Sequence, residues 1–147
     1  MRTLTPFQLD SLRCDRKKLT DATGQLEKLQ TRVHIFEREL LLEQRAADVL
    51  RAELLETNVP ADGILKLLLC EKRVQLLHEF LSRAADEIMP LRLAVLGELH
   101  QFEKLYVEIF PGALNGPVQK LPAWAGEGCG AVDRAKFAIA EIDRLLE

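Results

Sequence analysis

The segment RVHIFERELLLEQRAADVLRAELL, residues 32–55, carries two apolar stripes where an ordinary surface helix carries one. In the first stripe, apolar residues recur at helical spacings of three, four and seven: Val33, Phe36, Leu40, Ala47, Leu50 and Leu54. The second stripe lies on another face of the same helix and contains Ile35, Leu41, Leu42, Val49 and Leu55. The first stripe predicts a helix that closes against another helix of a coiled coil. The second predicts a surface that something else covers.

The heptad pattern of this segment extends through a long first helix. Position a of the heptad is apolar in seven successive repeats: Leu12, Leu19, Leu26, Val33, Leu40, Ala47 and Leu54. Thr5 and Gln8 fit a capping box, with Pro6 at the first helical position. Since the next proline is Pro60, the sequence predicts one helix over about residues 6–57.

A second heptad series follows the break at TNVPADG, residues 57–63. Its apolar a positions are Leu67, Val74, Leu81, Ile88, Val95, Phe102 and Ile109. Pro90 lies inside this series, but the heptad phase is the same before and after it. We therefore expect one helix over about residues 61–110, bent near residue 90 by the proline. The alternative is two helices that break at Met89.

Two helices of nearly equal length joined by a short turn predict an antiparallel hairpin over residues 1–110. If the turn is centred on residues 58 and 59, residue numbers that face each other sum to about 117. This register pairs Leu40 with Leu77 and Val33 with Ala84. Seam contacts displaced by one heptad, with sums near about 124, would contradict it.

The chain after the hairpin changes character. PGALNGPVQKLPAWAGEGCG, residues 111–130, is rich in proline and glycine and predicts a loop. A 3-4-3-4 spacing of apolar residues then predicts a short amphipathic helix within residues 131–147, through Val132, Ala135, Ile139, Ile142 and Leu146. The expected fold is all-α: a long antiparallel coiled-coil hairpin plus a short C-terminal helix after a loop.

Each end of the hairpin retains apolar residues that the seam does not use. We expect these residues to form protein-interaction surfaces: Ile35, Leu41, Leu42, Val49, Leu55, Leu68, Leu69, Leu76, Leu93, Leu96, Leu99 and Tyr106. The short C-terminal helix can cover the end near residue 99, but not both ends of so long a hairpin. Bending of the chain or homodimerisation is the alternative way to hide the remainder.

No residue pattern predicts catalysis or a bound cofactor. The three histidines and three cysteines do not converge in the hairpin register, so we expect no metal site. GEGCG, residues 126–130, lacks the strand and lysine of a phosphate loop and is read as a helix breaker. Asp15, Glu43 and Glu98 interrupt the apolar d positions, where polar residues can specify register or partner. We expect a protein that is not an enzyme.

Charge and composition exclude further classes of function. The net charge is −3 and lysine and arginine are interleaved with acidic residues, so no basic face for nucleic acid is expected. The sequence shows neither a signal peptide nor an apolar run of about 18 residues, and the C-terminal helix lacks a basic face for lipid. An odd number of scattered cysteines favours reduced thiols. We therefore expect an intracellular protein, cytoplasmic or nuclear, that is neither secreted nor transmembrane.

The sequence therefore predicts a non-enzymatic structural or interaction subunit. Coiled-coil or helical-bundle packing would assemble it with other helical subunits into a hetero-oligomeric complex. The outline resembles helical-hairpin subunits of cytoskeletal, kinetochore or tethering complexes, which is a likeness of architecture. Two alternatives remain at this point: a self-associating homodimeric rod, and a small helical adaptor or chaperone for a hydrophobic client segment.

Overall fold

The computed structural model describes residues 3–56, 61–117, 121–126 and 130–147. Helix α1 spans Pro6–Glu56, α2 spans Ala61–Ile109 and α3 spans Ala131–Leu146, and the described residues contain no strand. Helices α1 and α2 pack against each other, which confirms the expected helical hairpin with a short C-terminal helix. The predicted turn at residues 58 and 59, and the predicted last residue of the first helix, lie outside the described residues.

Helix α1 begins where the capping signal places its start. The Gln8 amide donates to the Thr5 hydroxyl at 3.1 Å, and the Thr5 amide donates to the Gln8 side-chain carbonyl at 3.0 Å. These reciprocal bonds satisfy two backbone donors that a helix start otherwise leaves open. Pro6 takes the first helical position, where its missing amide proton costs nothing.

Helix α2 continues through Pro90. The helix is one element from Ala61–Ile109 with the proline inside it, so the alternative break at Met89 is wrong. Proline removes the hydrogen bond that the carbonyl four residues earlier would accept. The apolar heptads on both sides favour one continuous helix in spite of that loss, since Ile88 and Val95 both belong to the seam. The bend expected near residue 90 stays a prediction.

The chain divides into two compact units. One consists of Met1–Lys28 with Met89–Glu147 and is called the bundle unit below. The other consists of Leu29–Ile88 and is called the hairpin unit. Helices α1 and α2 each contribute to both units, whereas α3 belongs to the bundle unit alone.

In the bundle unit, α3 completes a three-helix core. It buries small side chains and one isoleucine: Ala131, Ala135, Ala138 and Ile142. Ion pairs join Lys136 to Glu27 at 2.7 Å and Asp143 to Arg16 at 2.5 Å, so α3 runs antiparallel to α1. The largest fully buried side chains of the molecule all lie in this unit: Phe102, Leu12, Leu19, Leu26, Ile142 and Val95.

The loop before α3 packs on the same core. Trp124 is 3% exposed, and its ring lies 4.7 Å from that of Phe102 and 5.0 Å from that of Tyr106, between centroids. The Arg134 guanidinium donates to the Trp124 carbonyl at 3.0 Å. These contacts hold the segment around Trp124 against the core of the bundle unit.

The hairpin unit has a two-helix seam in the predicted register. The rings of Phe36 and Phe80 lie 4.3 Å apart, and Arg73 contacts the Glu43 carboxylate at 3.5 Å. Both pairs have residue numbers that sum to 116. In an antiparallel coiled coil these d-to-g contacts fit a seam sum of about 117 and not one displaced by a heptad. The buried seam residues of this unit are Leu29, Ala47, Cys70 and Ala84, each between 2% and 8% exposed.

Candidate interaction surface

One face of the hairpin unit is apolar and open. Leu42 and Leu76 are 61% and 51% exposed and line the same groove, which has a volume of about 510 Å³. Ile35 and Val49 lie seven residues on either side of Leu42, and Leu69 lies seven before Leu76. Because seven residues make nearly two helical turns, each set follows one line along its helix. We call these five exposed residues the apolar face.

Charged residues sit inside the groove of the apolar face. Glu39, Glu43 and Arg73 line it, and the Glu43 carboxylate pairs with the Arg73 guanidinium. Burial, and then the charge of Glu43, raise the pKa of the Cys70 thiol. Cys70 therefore stays a protonated seam side chain rather than a thiolate nucleophile.

The opposite side of the hairpin unit is polar. A second groove, of about 560 Å³, is lined by two apolar seam residues, Ala47 and Val74, and by six polar side chains: Gln44, Asp48, Arg51, Glu71, Gln75 and His78. Arg51 contacts the carboxylates of Asp48 and Glu71 at 3.0 Å each, and the Gln44 amide lies 3.5 Å from the His78 ring nitrogen. Polar groups on this side pair with one another within the chain. The two sides of one helix pair thus differ sharply in character.

Further apolar side chains of the hairpin unit are exposed outside the five residues of the apolar face. Three of them were expected from the sequence: Leu41, Leu55 and Leu68. Ile64 and Leu65 are 50% and 58% exposed and were missed. The run ILKLLL, residues 64–69, holds a signal that would have found them, because it has five apolar residues in six and exceeds the width of one helical stripe.

The expected surface at the other end of the hairpin needs correction. Leu93 is 59% exposed, whereas Leu96 and Tyr106 are half-buried. Leu99 is only 3% exposed, so its assignment to an interaction surface is wrong. These residues belong to the bundle unit, where α3 and the loop add a third layer. Burial, and then the nearby charge of Glu141, raise the pKa of the Tyr106 phenol.

Two acidic d positions lie in the seam of the bundle unit. Burial is the main cause that raises the pKa of Asp15, followed by the charge of Glu98, while Lys18 lowers it. One carboxylate oxygen of Glu98 is buried and has no hydrogen-bond partner among the described residues. The two carboxyl groups therefore oppose close packing of the helices that carry them.

The described ranges hold neither a metal-ligand cluster nor a membrane-spanning helix. No cluster of three or more histidine, cysteine or acidic residues suited to a metal ion occurs there. No helix in the described part of the chain is both long and apolar enough to cross a membrane.

The chain matches no protein-family model, no curated protein and no solved structure. The features of this chain that bear on its function are its exposed apolar side chains, its buried residues and its charges.

Proposed function

We propose that this protein is a non-enzymatic interaction subunit whose apolar face packs against helices of other protein chains. The observation that carries the proposal is the exposure of Ile35, Leu42, Val49, Leu69 and Leu76, each between 49% and 61%, on one face of a helix pair. Contiguous exposed apolar surface of this kind marks protein interaction sites. Burying a fully exposed leucine or valine contributes about 1.5–3 kcal/mol, and covering one of these half-exposed side chains contributes roughly half of that.

The bundle unit supports the proposal by comparison. There α3 lies on the helix pair, and the seam residues Leu12, Leu19 and Leu26 reach 0% exposure. In the hairpin unit the described residues include no third helix, and seam residues such as Leu40 and Leu77 remain half-buried. A helix supplied by another chain would bury them as α3 buries the seam of its own unit.

The wider setting that we propose for the complex is supported only by a likeness of architecture. Helical-hairpin subunits suit hetero-oligomeric assemblies of the cytoskeletal, kinetochore or tethering type, and we place the proposed complex in the cytoplasm or nucleus. The proposed packing is coiled-coil or helical-bundle packing with other helical subunits.

A paired-variant experiment tests the proposed function. Leu42→Asp with Val49→Asp puts two charges on the apolar face, while Gln30→Asp with His34→Asp puts the same two residues on the exposed polar side of α1. Both double variants should keep their helicity by circular dichroism, since all four positions are exposed. Only the first should fail to form the complex with the purified partner that binds the unchanged chain, a loss of more than about tenfold in affinity.

Light scattering on the purified chain gives the opposing outcomes. A clean homodimer would favour the self-associating rod over a hetero-oligomeric subunit. A stable monomer for which no partner protein can be purified would contradict the proposal. Loss of helicity in Leu42→Asp with Val49→Asp would place these residues in the internal core instead of on an interface.

A further inference from the structure

The border of the apolar face on α1 is basic. Arg38 lies four residues before Leu42 and Arg45 three residues after it, so both are its neighbours on the helix surface. Both arginines are exposed, and neither makes an ion pair with another described residue. Arg51 and Arg73 of the same unit do pair with carboxylates. The α1 edge of the face thus presents two unpaired positive charges seven residues apart.

The border on α2 carries mixed charge. Lys72 lies four residues before Leu76 and Glu79 three residues after it. The Glu79 carboxylate accepts a hydrogen bond from the Gln75 side-chain amide at 3.5 Å. Lys72 makes no ion pair with a described residue. Around Leu42 and Leu76, three cations without an ion pair to a described residue therefore outnumber two acidic residues, Glu39 in the groove and Glu79 at its edge. Two further exposed cations without an ion pair in the described ranges lie three residues before other members of the apolar face, Arg32 before Ile35 and Lys66 before Leu69.

A second copy of the chain on the apolar face would not give both Arg38 and Arg45 an acidic partner. A two-fold dimer joins the same patch of both copies. With the two-fold axis across the helices, α1 meets α1 antiparallel, and Arg38 approaches Arg45 of the copy. With the axis along the helices, α1 meets α2 of the copy, and Arg45 approaches Lys72, since the Glu43–Arg73 contact puts these two residues at one level. In the first arrangement Lys72 also approaches Glu79 of the copy, and in the second Arg38 approaches Glu79 of the copy, so opposite charges meet as well. Neither arrangement places an acidic residue against both Arg38 and Arg45, so a second copy leaves the basic border of α1 partly uncompensated.

The bundle unit shows how a docked helix satisfies the α1 edge. Helix α3 places Lys136 and Asp143, seven residues apart, against Glu27 and Arg16 of α1 at 2.7 and 2.5 Å. Glu27 and Arg16 thus each contact a residue of opposite charge on α3, while the apolar side of α3 fills the core. A helix seated on the apolar face of the hairpin unit would meet Arg38 and Arg45 in the same way.

We propose that the occupant of the apolar face is an amphipathic helix of a different protein, with acidic residues seven apart lying along Arg38 and Arg45. Its apolar stripe fills the groove between Leu42 and Leu76. This inference rests on the proposed function and adds the chemistry of the partner. Ion pairs at the border steer association and select the partner, whereas the apolar contacts supply most of the affinity.

Two synthetic peptides test the charge requirement. Each has about four heptads with leucine at positions a and d, long enough to form a helix. One carries glutamate at the flanking positions, and the other carries lysine. Fluorescence anisotropy with the full chain should show the glutamate peptide binding about tenfold more tightly or better, with a preference that declines as salt is added. Arg38→Glu with Arg45→Glu should reverse the preference, and Lys17→Glu with Lys28→Glu should not.

The outcomes separate this inference from the proposed function. Equal binding of both peptides, lost in Leu42→Asp with Val49→Asp, would overturn the charge requirement and leave the docking face in place. Binding that survives those two substitutions would overturn both, because the apolar face would not be the site. Failure of both peptides to bind, or a homodimer that excludes them, would overturn the inference.

Discussion

Asp15 and Glu98 introduce carboxyl groups into a seam that otherwise consists of apolar residues. Burial, and then the charge of Glu98, raise the pKa of Asp15 above its ordinary value of 3.8. The folded state therefore binds this proton more tightly than the unfolded state does. Because of this tighter proton binding, the free energy of unfolding falls as the pH rises from about 3.8 through the raised pKa of Asp15. Above that pKa the ionised Asp15 carboxylate destabilises the fold.

The first prediction concerns this carboxyl group. Asp15→Asn should increase the free energy of unfolding at pH 7, because the amide needs no ionised form in the seam. The gain should shrink as the pH is lowered through the raised pKa and should reach its lowest value below 3.8, where Asp15 becomes protonated in both states. Urea unfolding at a series of pH values measures it. Asp21→Asn, at an exposed position, is the control for loss of one negative charge.

A lower free energy of unfolding for Asp15→Asn at pH 7 would contradict this account. It would mean that the ionised Asp15 carboxylate has a stabilising partner. The acidic d positions themselves are visible in the sequence, since they interrupt a heptad pattern. Their burial is not, because it depends on how closely α1 and α2 pack in the bundle unit.

The start of α1 and the continuity of α2 agree with signals that are local in the sequence. The capping box at Thr5 begins α1, and the heptads on both sides of Pro90 belong to one helix. A proline in a helix interior removes one backbone hydrogen bond and clashes with the carbonyl four residues earlier. Both effects destabilise the helix at one place only. Packing along the seam contributes over many turns, so it outweighs one proline. For this reason the heptad phase predicted the continuity of α2 better than the proline did.

The second prediction concerns the proline inside α2. Pro90→Ala should increase the free energy of unfolding by about 1–3 kcal/mol, since alanine restores the missing amide donor and relieves the clash. Thermal and urea unfolding measure the change. Ala94→Pro, at an exposed position one turn later, should lower it by about 3 kcal/mol or more. If Pro90→Ala proved destabilising, the unit would depend on the local backbone geometry that proline imposes.

At the scale of the whole molecule, α3 decides which apolar surface is covered. The third prediction is that Ile142→Asp, at a position with 0% exposure, lowers the free energy of unfolding by more than about 3 kcal/mol. It should also increase binding of a hydrophobic dye, because Leu12, Leu19 and Leu26 lose their cover. Phe137→Asp, at 46% exposure on the same helix, should change both quantities little. Equal effects of the two variants would contradict the packing of α3 through its alanine and isoleucine side.

The sequence by itself determined three helices, their bounds to within a residue where the structure describes them, and the register of the hairpin unit. Those features depend on the heptad spacing of apolar residues, which repeats along each helix, and on capping and proline residues, which act over a few positions. The tertiary structure alone decided that Leu99 is buried while Leu42 is exposed. Both lie outside positions a and d, Leu99 at position e and Leu42 at position c, and the heptad pattern does not show whether a third helix covers either of them. The difference is made by α3, which packs in the bundle unit through contacts remote in sequence, and a local pattern carries no record of such contacts.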